Sequence, residues 1–278
     1  MEKVKENLIT TQFTRIEDKF IIPLNLRSEL TYILDKHMQL SPESLNGEGF
    51  YVQSIYFDSN EVDFFRHHFE KHRKRSKIRI RRYGNVNTRG PALTFLECKS
   101  KVDGISFKNR LLLTAEELFY LYGGREITVT PQLIKANPTI EVSILNERVS
   151  KINFLVKEYK LLPRIQIEYQ RVAYEAQDLR VTLDKNIQLS VLGPASFKVA
   201  QSIKKQDYWF QAEQMHICFS NEYHFLLEVK HTGHRPQWLE DWVVDKNLLS
   251  TSFSKYCWGM EQALDQAANI ETVTLALC

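Results

Sequence analysis

The chain has 278 residues, of which 43% are apolar and 26% are charged, a composition typical of a globular protein. Its 10 glycines and 8 prolines exclude a collagenous or low-complexity chain. Lys plus Arg total 37 and Asp plus Glu total 34, so the net charge of +3 does not by itself point to any class of partner.

The four cysteines are scattered along the chain, and none forms a Cys-x-x-Cys pair that would suggest a zinc site. This scatter predicts reduced thiols and a cytoplasmic location. The polar, mixed-charge start of the chain does not resemble a secretory signal, and no apolar run approaches the ~18–20 residues of a membrane helix. We therefore expect that the chain does not cross a membrane by itself.

Short runs with a two-residue alternation, rich in β-branched and aromatic residues, predict nine strands. In chain order they are Thr14–Ile22, Tyr51–Phe57, Ser76–Tyr83, Ala92–Lys101, Gly104–Leu111, Arg164–Ala173, Arg180–Asp184, Met215–Cys218 and His224–His231. Helical spacing and capping signals predict six helices. They are Asn25–Met38, Glu61–Phe69, Ala115–Tyr122, Thr139–Leu161, Gln237–Lys246 and Ser254–Ala268. Along the chain the predicted strands come next to one another and do not alternate strictly with helices. This order favours an α+β fold with an antiparallel sheet or barrel and helices packed outside.

Charged and apolar residues alternate within the predicted strands. Because successive side chains of a strand point to opposite faces, Arg79 and Arg81 share one face and Ile78 and Ile80 share the other. Five other strands show the same split. Their charged faces carry Arg15, Glu17 and Lys19; Glu97 and Lys99; Tyr169 and Arg171; Arg180, Thr182 and Asp184; and Glu228 and Lys230.

Two interpretations of these charged faces are open. Either they lie in water on an ordinary surface sheet, or they line the inside of a closed barrel whose apolar faces pack on outer helices. Basic residues outnumber acids on these faces, although the whole chain is nearly balanced. A lining of Lys and Arg would suit a polyanion, because guanidinium groups match phosphate oxygens, and nearby carboxylates would suit Mg²⁺ or Mn²⁺.

A basic run covers the end of the second predicted helix and the residues after it. His67, His68 and His72 lie there among Arg66, Lys71, Arg73, Lys74 and Arg75. The run is either a basic entrance that guides a polyanion or a solvated helix end and loop. Nucleic-acid binding is not expected, because the other cations lie on strands with paired carboxylates.

Several segments, taken in order, resemble one family. They are Arg15–Pro23, Ser54–Ser59, Lys77–Gly84, Phe95–Lys99, Phe107–Arg110, Pro163–Tyr174, Arg180–Asp184, Leu227–Lys230 and Phe253–Cys257. This set resembles the VTC-type polyphosphate polymerase domain of the triphosphate tunnel metalloenzymes, in a stand-alone, prokaryotic-type form. The resemblance implies an N-terminal tail over residues 1–12, a single antiparallel β-tunnel domain over 13–268, and a C-terminal tail over 269–278.

The resemblance also implies an activity. In this family a divalent metal, Mn²⁺ or Mg²⁺, and inward basic residues hold ATP and polyphosphate, and the ATP γ-phosphate is transferred to the growing chain. The hydrolase and cyclase branch carries Glu-x-Glu-x-Lys where this chain has Arg15-Ile-Glu17-Asp-Lys19, which favours the VTC branch. A polyanion-binding module without turnover and a triphosphate hydrolase remain the alternatives. A membrane partner that exports or uses the product is a further expectation.

The family's motifs assign roles to residues of this chain. Lys19, Arg79, Arg81, Lys99, Lys108, Arg171, Lys230 and Lys255 match phosphate-binding positions. Glu228 matches the metal ligand, and Glu17 and Glu97 either orient cations or bind metal through water. Tyr169 and Ser254 are expected to donate hydrogen bonds to phosphate oxygens, and Arg180 lies on the same charged face. Each of these residues taken alone would also be compatible with surface charge, an ion pair or ordinary packing.

Overall fold

The computed structural model describes residues 15–85, 88–103, 105–192, 217–218 and 223–276. The chain divides into two compact units. The first unit is drawn from residues 1–49, 171–185 and 220–252, and the second from residues 50–170, 186–219 and 253–278. The prediction of a single domain over 13–268 stays a prediction.

Ten strands are present among the described residues. They are β1 (Arg15–Pro23), β2 (Gln39–Leu40), β3 (Phe50–Asp58), β4 (Lys74–Asn85), β5 (Thr88–Val102), β6 (Ile105–Leu112), β7 (Leu162–Ala176), β8 (Leu179–Val191), β9 (Ile217–Cys218) and β10 (His224–Thr232). Seven α-helices accompany them in the same part of the chain. They are α1 (Arg27–His37), α2 (Asp63–Phe69), α3 (Ala115–Tyr122), α4 (Pro131–Ala136), α5 (Val142–Tyr159), α6 (Gln237–Asp245) and α7 (Lys255–Ala276), with short 3-10 helices at Leu24–Leu26 and Pro42–Gly47.

In the first unit, β10 pairs with β1 on one side and with β8 on the other, and both pairings are antiparallel. The apolar face of these strands packs on the two helices α1 and α6. The core of this unit includes Phe20, Val181, Leu227, Val229 and Trp242, all of them buried. The predicted apolar faces of β8 and β10 are therefore confirmed. On β1 the prediction is wrong for Ile16, which is 45% exposed, and only Phe20 and Ile22 of that face are buried.

A close approach of the backbone in this unit requires a glycine at position 49. Gly49 has a φ of +79°, and a Cβ at this position would lie 2.3 Å from the carbonyl oxygen of Arg171. Only glycine adopts this conformation at low cost and leaves room for the strand beside it. Gly49 thereby allows the β7 backbone to lie close by at Arg171.

In the second unit, β3 pairs with β4, β4 with β5 and β5 with β6, all antiparallel. Helix α7 lies close to β7, because a Cβ at Gly259 would come within 2.7 Å of the Ile165 side chain. Helix α3 begins at a capping box formed by Thr114 and Glu117. Helix α4 begins with Pro131 after Thr130, whose hydroxyl accepts a hydrogen bond from the Leu133 N–H at 3.1 Å.

The predicted α+β class with an antiparallel sheet is confirmed, but some details are corrected. In the strand order of the described residues β1 and β6 are the two end strands, and no hydrogen-bonded pairing joins them there. The prediction missed β2 and α4, and it ended β8 at Asp184 although the strand continues to Val191. Residues 14, 104, 215 and 216, which were predicted to be in strands, lie outside the described residues. Among the described helices, none combines the length and the apolar character that crossing a membrane requires.

Candidate functional site

Three strands of the first unit bring charged side chains into register. Glu17 of β1 lies opposite Lys230 of β10, which lies opposite Arg180 of β8. In the next row, Lys19 lies opposite Glu228, which lies opposite Thr182. Directly opposite residues on one face of an antiparallel pair have Cβ atoms about 4.5–5.5 Å apart. We call the following residues the Glu228 cluster: Glu17, Lys19, Arg171, Thr182, Asp184, Glu228 and Lys230.

Arg171 links two carboxylates of this cluster. Its Nε and Nη2 each donate to Asp184 at 2.6 Å, and Nη2 also lies 3.3 Å from Glu228 Oε2. Asp184 is fully buried, and Arg171 and Glu228 are buried at 8% and 9% exposure. Such burial is tolerated because the charges are paired. The fork of Arg171 therefore holds Glu228 in place on the charged face.

Lys19 and Lys230 share Glu17. Lys19 Nζ lies 2.9 Å from Glu17 Oε1, and Lys230 Nζ lies 3.4 Å from Glu17 Oε2. Burial opposes ionisation of Glu17, but the two ammonium groups outweigh it and lower the pKa of this carboxyl. Burial lowers the pKa of Lys230, and Glu17 and Glu228 oppose that shift. In the structure, Glu17 thus orients two lysines.

Arg180, which was predicted to lie at the site, pairs instead with a carboxylate outside the Glu228 cluster. Its Nη1 lies 3.0 Å from Glu175 Oε1, and about half of each side chain is exposed. Its backbone lies opposite Lys230, but its side chain is directed to Glu175. An exposed pair of this kind agrees with the ordinary surface interpretation of a charged residue.

In the second unit, one carboxylate serves four cations. Glu97 Oε2 accepts from Arg79 Nη2 at 2.6 Å and lies 3.9 Å from Arg81 Nη1. Its Oε1 lies 3.6 Å from Lys108 Nζ and 3.4 Å from Arg110 Nε. Burial would raise the pKa of Glu97, which is 4% exposed, but the cations lower it to about 2. We call these five residues the Glu97 cluster.

A row of three lysines, which shares Lys108 with the Glu97 cluster, lies on the same strand faces. Lys77 of β4 is directly opposite Lys99 of β5, which is directly opposite Lys108 of β6. Like charges in this arrangement repel one another across a sheet. Lys99 and Lys108 are exposed, as an ordinary surface sheet would also have them. Because the three positions of the row are all lysines, the row suits an anionic ligand.

The remaining predicted residues of the second unit lie around Arg81 and Lys77. Arg81 Nη2 donates to the Tyr169 hydroxyl at 2.8 Å, and Lys255 Nζ lies 4.8 Å from the centre of the Tyr169 ring. Lys77 Nζ donates to Ser254 Oγ at 3.1 Å. The start of α7 therefore adds Ser254 and Lys255 to the charged face of this unit.

The burial of these charged faces distinguishes between the two interpretations of the sequence. Arg81, Glu97, Arg171, Asp184 and Glu228 are all buried, and each is paired. On a sheet that faces water, these side chains would be exposed. Asp, Glu and Arg are seldom fully buried unless they are paired, and the pairing of these five residues agrees with their burial. These five side chains are therefore sheltered from water, whereas Arg180 of β8 and the lysines of the row on β5 and β6 are exposed.

Two residues in or next to the Glu97 cluster, Tyr56 and Arg110, were not predicted from the sequence. Tyr56 lies opposite Arg79 and accepts a hydrogen bond from its Nη1 at 3.0 Å. Burial would raise the pKa of the Tyr56 hydroxyl, but Arg79 and Arg81 outweigh it and lower that pKa. Arg110 lies opposite Glu97 in a segment that the family motif covers. Arg110 could have been predicted from its position two residues after Lys108, because residues two apart in a strand share a face.

The basic run after α2 lines a cleft of about 570 Å³ in the second unit. Its walls include His67, Lys71, His72, Lys74 and Arg75, and apolar and aromatic side chains of α2 and α5 also line it. The ring centres of His67 and His72 are stacked at 4.6 Å. The basic entrance suggested by the sequence stays a prediction. The cleft shows which side chains would form it.

The expected divalent metal would need oxygen ligands from the Glu228 cluster. The part of the chain that the structure describes contains no group of three His, Cys, Asp or Glu side chains arranged to hold a metal ion. A metal held by protein ligands alone therefore does not fit these residues. Glu228, a carboxylate on the charged face of β10, fits a cation that takes most of its oxygen ligands from phosphate and water.

The chain is similar at a low level to several solved structures. A suspected adenylate cyclase from Bacillus halodurans has 11% identity and a TM-score of 0.45, and the match covers 86% of this chain and 93% of that one. A suspected adenylate cyclase from Vibrio parahaemolyticus has 8% identity and a TM-score of 0.41, with 90% and 97% covered. The Mediator head module of Schizosaccharomyces pombe has 12% identity and a TM-score of 0.39, with 95% and 96% covered. These similarities carry no functional argument.

The family assignment rests on the sequence motifs together with a family model. No curated protein matches this chain. The model of the VTC domain matches residues 14–264, which include every predicted site residue and parts of both units. The chain belongs to the VTC domain family.

Proposed function

We propose that this protein is a metal-dependent polyphosphate polymerase that transfers the γ-phosphate of ATP to a growing polyphosphate chain. The observation that supports it most directly is the charge of the Glu97 cluster, in which four cations share one carboxylate. A bound polyanion would offset the remaining positive charge. Membership of the VTC domain family supports the same class of ligand.

The two kinds of cation in the second unit have different parts in the proposal. Arg79 and Arg81 are held by Tyr56, Glu97 and Tyr169, so their planar guanidinium groups are fixed before a ligand binds. Such groups match phosphate oxygens through two parallel hydrogen bonds. The exposed lysines of the neighbouring row supply positive charge on flexible side chains, which suits a chain that must slide after each addition.

In the first unit, Lys19, Lys230 and Arg171 bind phosphate oxygens in the proposal, and Glu228 holds Mn²⁺ or Mg²⁺ together with phosphate oxygens. The metal would neutralise charge on the phosphates. Phosphoryl transfer requires little covalent chemistry from a protein, so positioning and charge neutralisation are sufficient roles for these side chains. The proposal includes a cytoplasmic location and a membrane partner that exports or uses the product.

The experiment is to incubate the pure protein with ATP and Mn²⁺ and to separate the products by gel electrophoresis. We expect long phosphate chains from the wild-type protein, and strongly reduced chain formation in Lys108→Ala and Glu228→Gln. Lys157→Ala is the matched control, because Lys157 is an exposed lysine of α5 outside both clusters. Its product yield should equal that of the wild type.

The products also separate the proposal from its two alternatives. A polyanion-binding module would bind polyphosphate in calorimetry and leave ATP unchanged. A triphosphate hydrolase would release free phosphate from short triphosphates. Either result would replace the proposed polymerase, and failure to bind any triphosphate or polyphosphate would contradict all three.

A further inference from the structure

Thr182 occupies a buried position on the charged face of β8. It is 3% exposed and lies directly opposite Glu228, which in turn lies opposite Lys19. Its strand neighbours Val181 and Leu183 belong to the apolar core, so the Thr182 side chain points to the other face, where Arg171 is paired with Asp184.

The hydroxyl of Thr182 has an unusual environment. Its Oγ1 is buried and has no hydrogen-bond partner among the described residues. A buried polar group without a partner destabilises a folded protein, and buried hydroxyls are therefore almost always paired. Valine has nearly the same shape and would remove this destabilisation. A threonine at this position thus calls for a role that valine could not perform.

We propose that Thr182 contacts the phosphate ligand and donates its hydroxyl hydrogen to a phosphate oxygen. The lysines and the arginine of the Glu228 cluster attract the anion, and the hydroxyl adds a short, directed hydrogen bond beside Glu228. This inference rests on the proposed function for the class of ligand, but it concerns binding and not turnover. It makes Thr182 a substrate-contacting residue, a role that the sequence motifs did not assign to it.

The test compares affinity and stability in Thr182→Val and Thr182→Ser. Calorimetry with inorganic triphosphate, in the absence of divalent metal, should show binding to Thr182→Val weakened about 10-fold to 100-fold, the range expected for a lost hydrogen bond to a charged acceptor. Thr182→Ser retains the hydroxyl and should bind within about threefold of the wild type, a difference of less than one hydrogen bond. The melting temperature of ligand-free Thr182→Val should equal or exceed that of the wild type.

Thr94→Val is the matched control. Thr94 is a buried threonine of β5 whose hydroxyl accepts a hydrogen bond from Arg82 Nε at 3.3 Å, and it lies on the opposite face of the strand from Glu97. This variant should melt at a lower temperature and bind triphosphate normally, the reverse of Thr182→Val.

Three results would overturn the inference. They are equal triphosphate affinity in Thr182→Val and wild type, a lower melting temperature of ligand-free Thr182→Val, and a wild-type protein that binds no triphosphate. The first two leave the proposed polymerase standing. A wild type that binds triphosphate through Thr182 but forms no phosphate chains would remove the polymerase and leave the inference intact.

Discussion

Glu97→Gln tests the electrostatics of the second unit. The substitution preserves the size of the side chain and removes the charge shared by the following cations: Arg79, Arg81, Lys108 and Arg110. These cations hold the pKa of Glu97 at about 2, against an ordinary value of 4.5. This difference corresponds to about 3 kcal/mol of stability.

The sign of the effect sets its pH dependence. Because the pKa of Glu97 is lowered in the folded state, its contribution is complete above pH 4.5 and is lost as the pH falls towards about 2. Urea unfolding at several pH values should show Glu97→Gln about 3 kcal/mol less stable than wild type at neutral pH, with the difference shrinking below pH 4.5. Inorganic triphosphate should stabilise the variant more than the wild type, because the cations have lost their carboxylate. A difference below about 1 kcal/mol, or one independent of pH, would show that Glu97 does not hold these cations as the structure indicates.

Further substitutions test other parts of the structure. Lys230→Ala should weaken triphosphate binding about 10- to 150-fold in calorimetry, and unchanged affinity would leave Lys230 a surface ion-pair residue. The double variant Lys71→Ala, Lys74→Ala should show a weaker dependence of the polyphosphate association rate on salt concentration in stopped flow, because charges at the cleft steer the anion. An association rate with the same salt dependence as in the wild type would contradict a basic entrance. Tyr256→Phe should lower the free energy of unfolding by about 1–3 kcal/mol in urea, because buried Asp58 loses the hydrogen bond from the Tyr256 hydroxyl at 2.6 Å; a loss below about 0.5 kcal/mol would show that this bond is dispensable.

The faces of the strands were predictable because alternation is a property of one strand alone. Ile78 and Ile80 are buried at 1% exposure, and Arg79 and Arg81 lie together on the other face, as the sequence indicates. The partners of these side chains depend on the register between strands that are distant in sequence. Tyr56 was missed for this reason, although it lies directly opposite Arg79.

Short elements and local irregularities were harder to predict. Helix α4 has six residues, too few to show a helical periodicity, although Thr130 and Pro131 carried the signal for its first turn. Strand β8 continues beyond its predicted end through Asn186, whose φ of +53° interrupts the regular alternation. The unpaired hydroxyl of Thr182 could not be predicted either, because it depends on the packing of the described residues around one atom.

The origin of the transferred phosphate distinguishes polymerisation from hydrolysis and from binding alone. ATP labelled at the γ-phosphate and ATP labelled at the α-phosphate are incubated in parallel with the protein and Mn²⁺, and the label is followed into long chains and into free phosphate. The proposed transfer requires that label from the γ-position enters long chains and that label from the α-position does not. Label from the γ-position found only in free phosphate, or remaining in ATP, would contradict it.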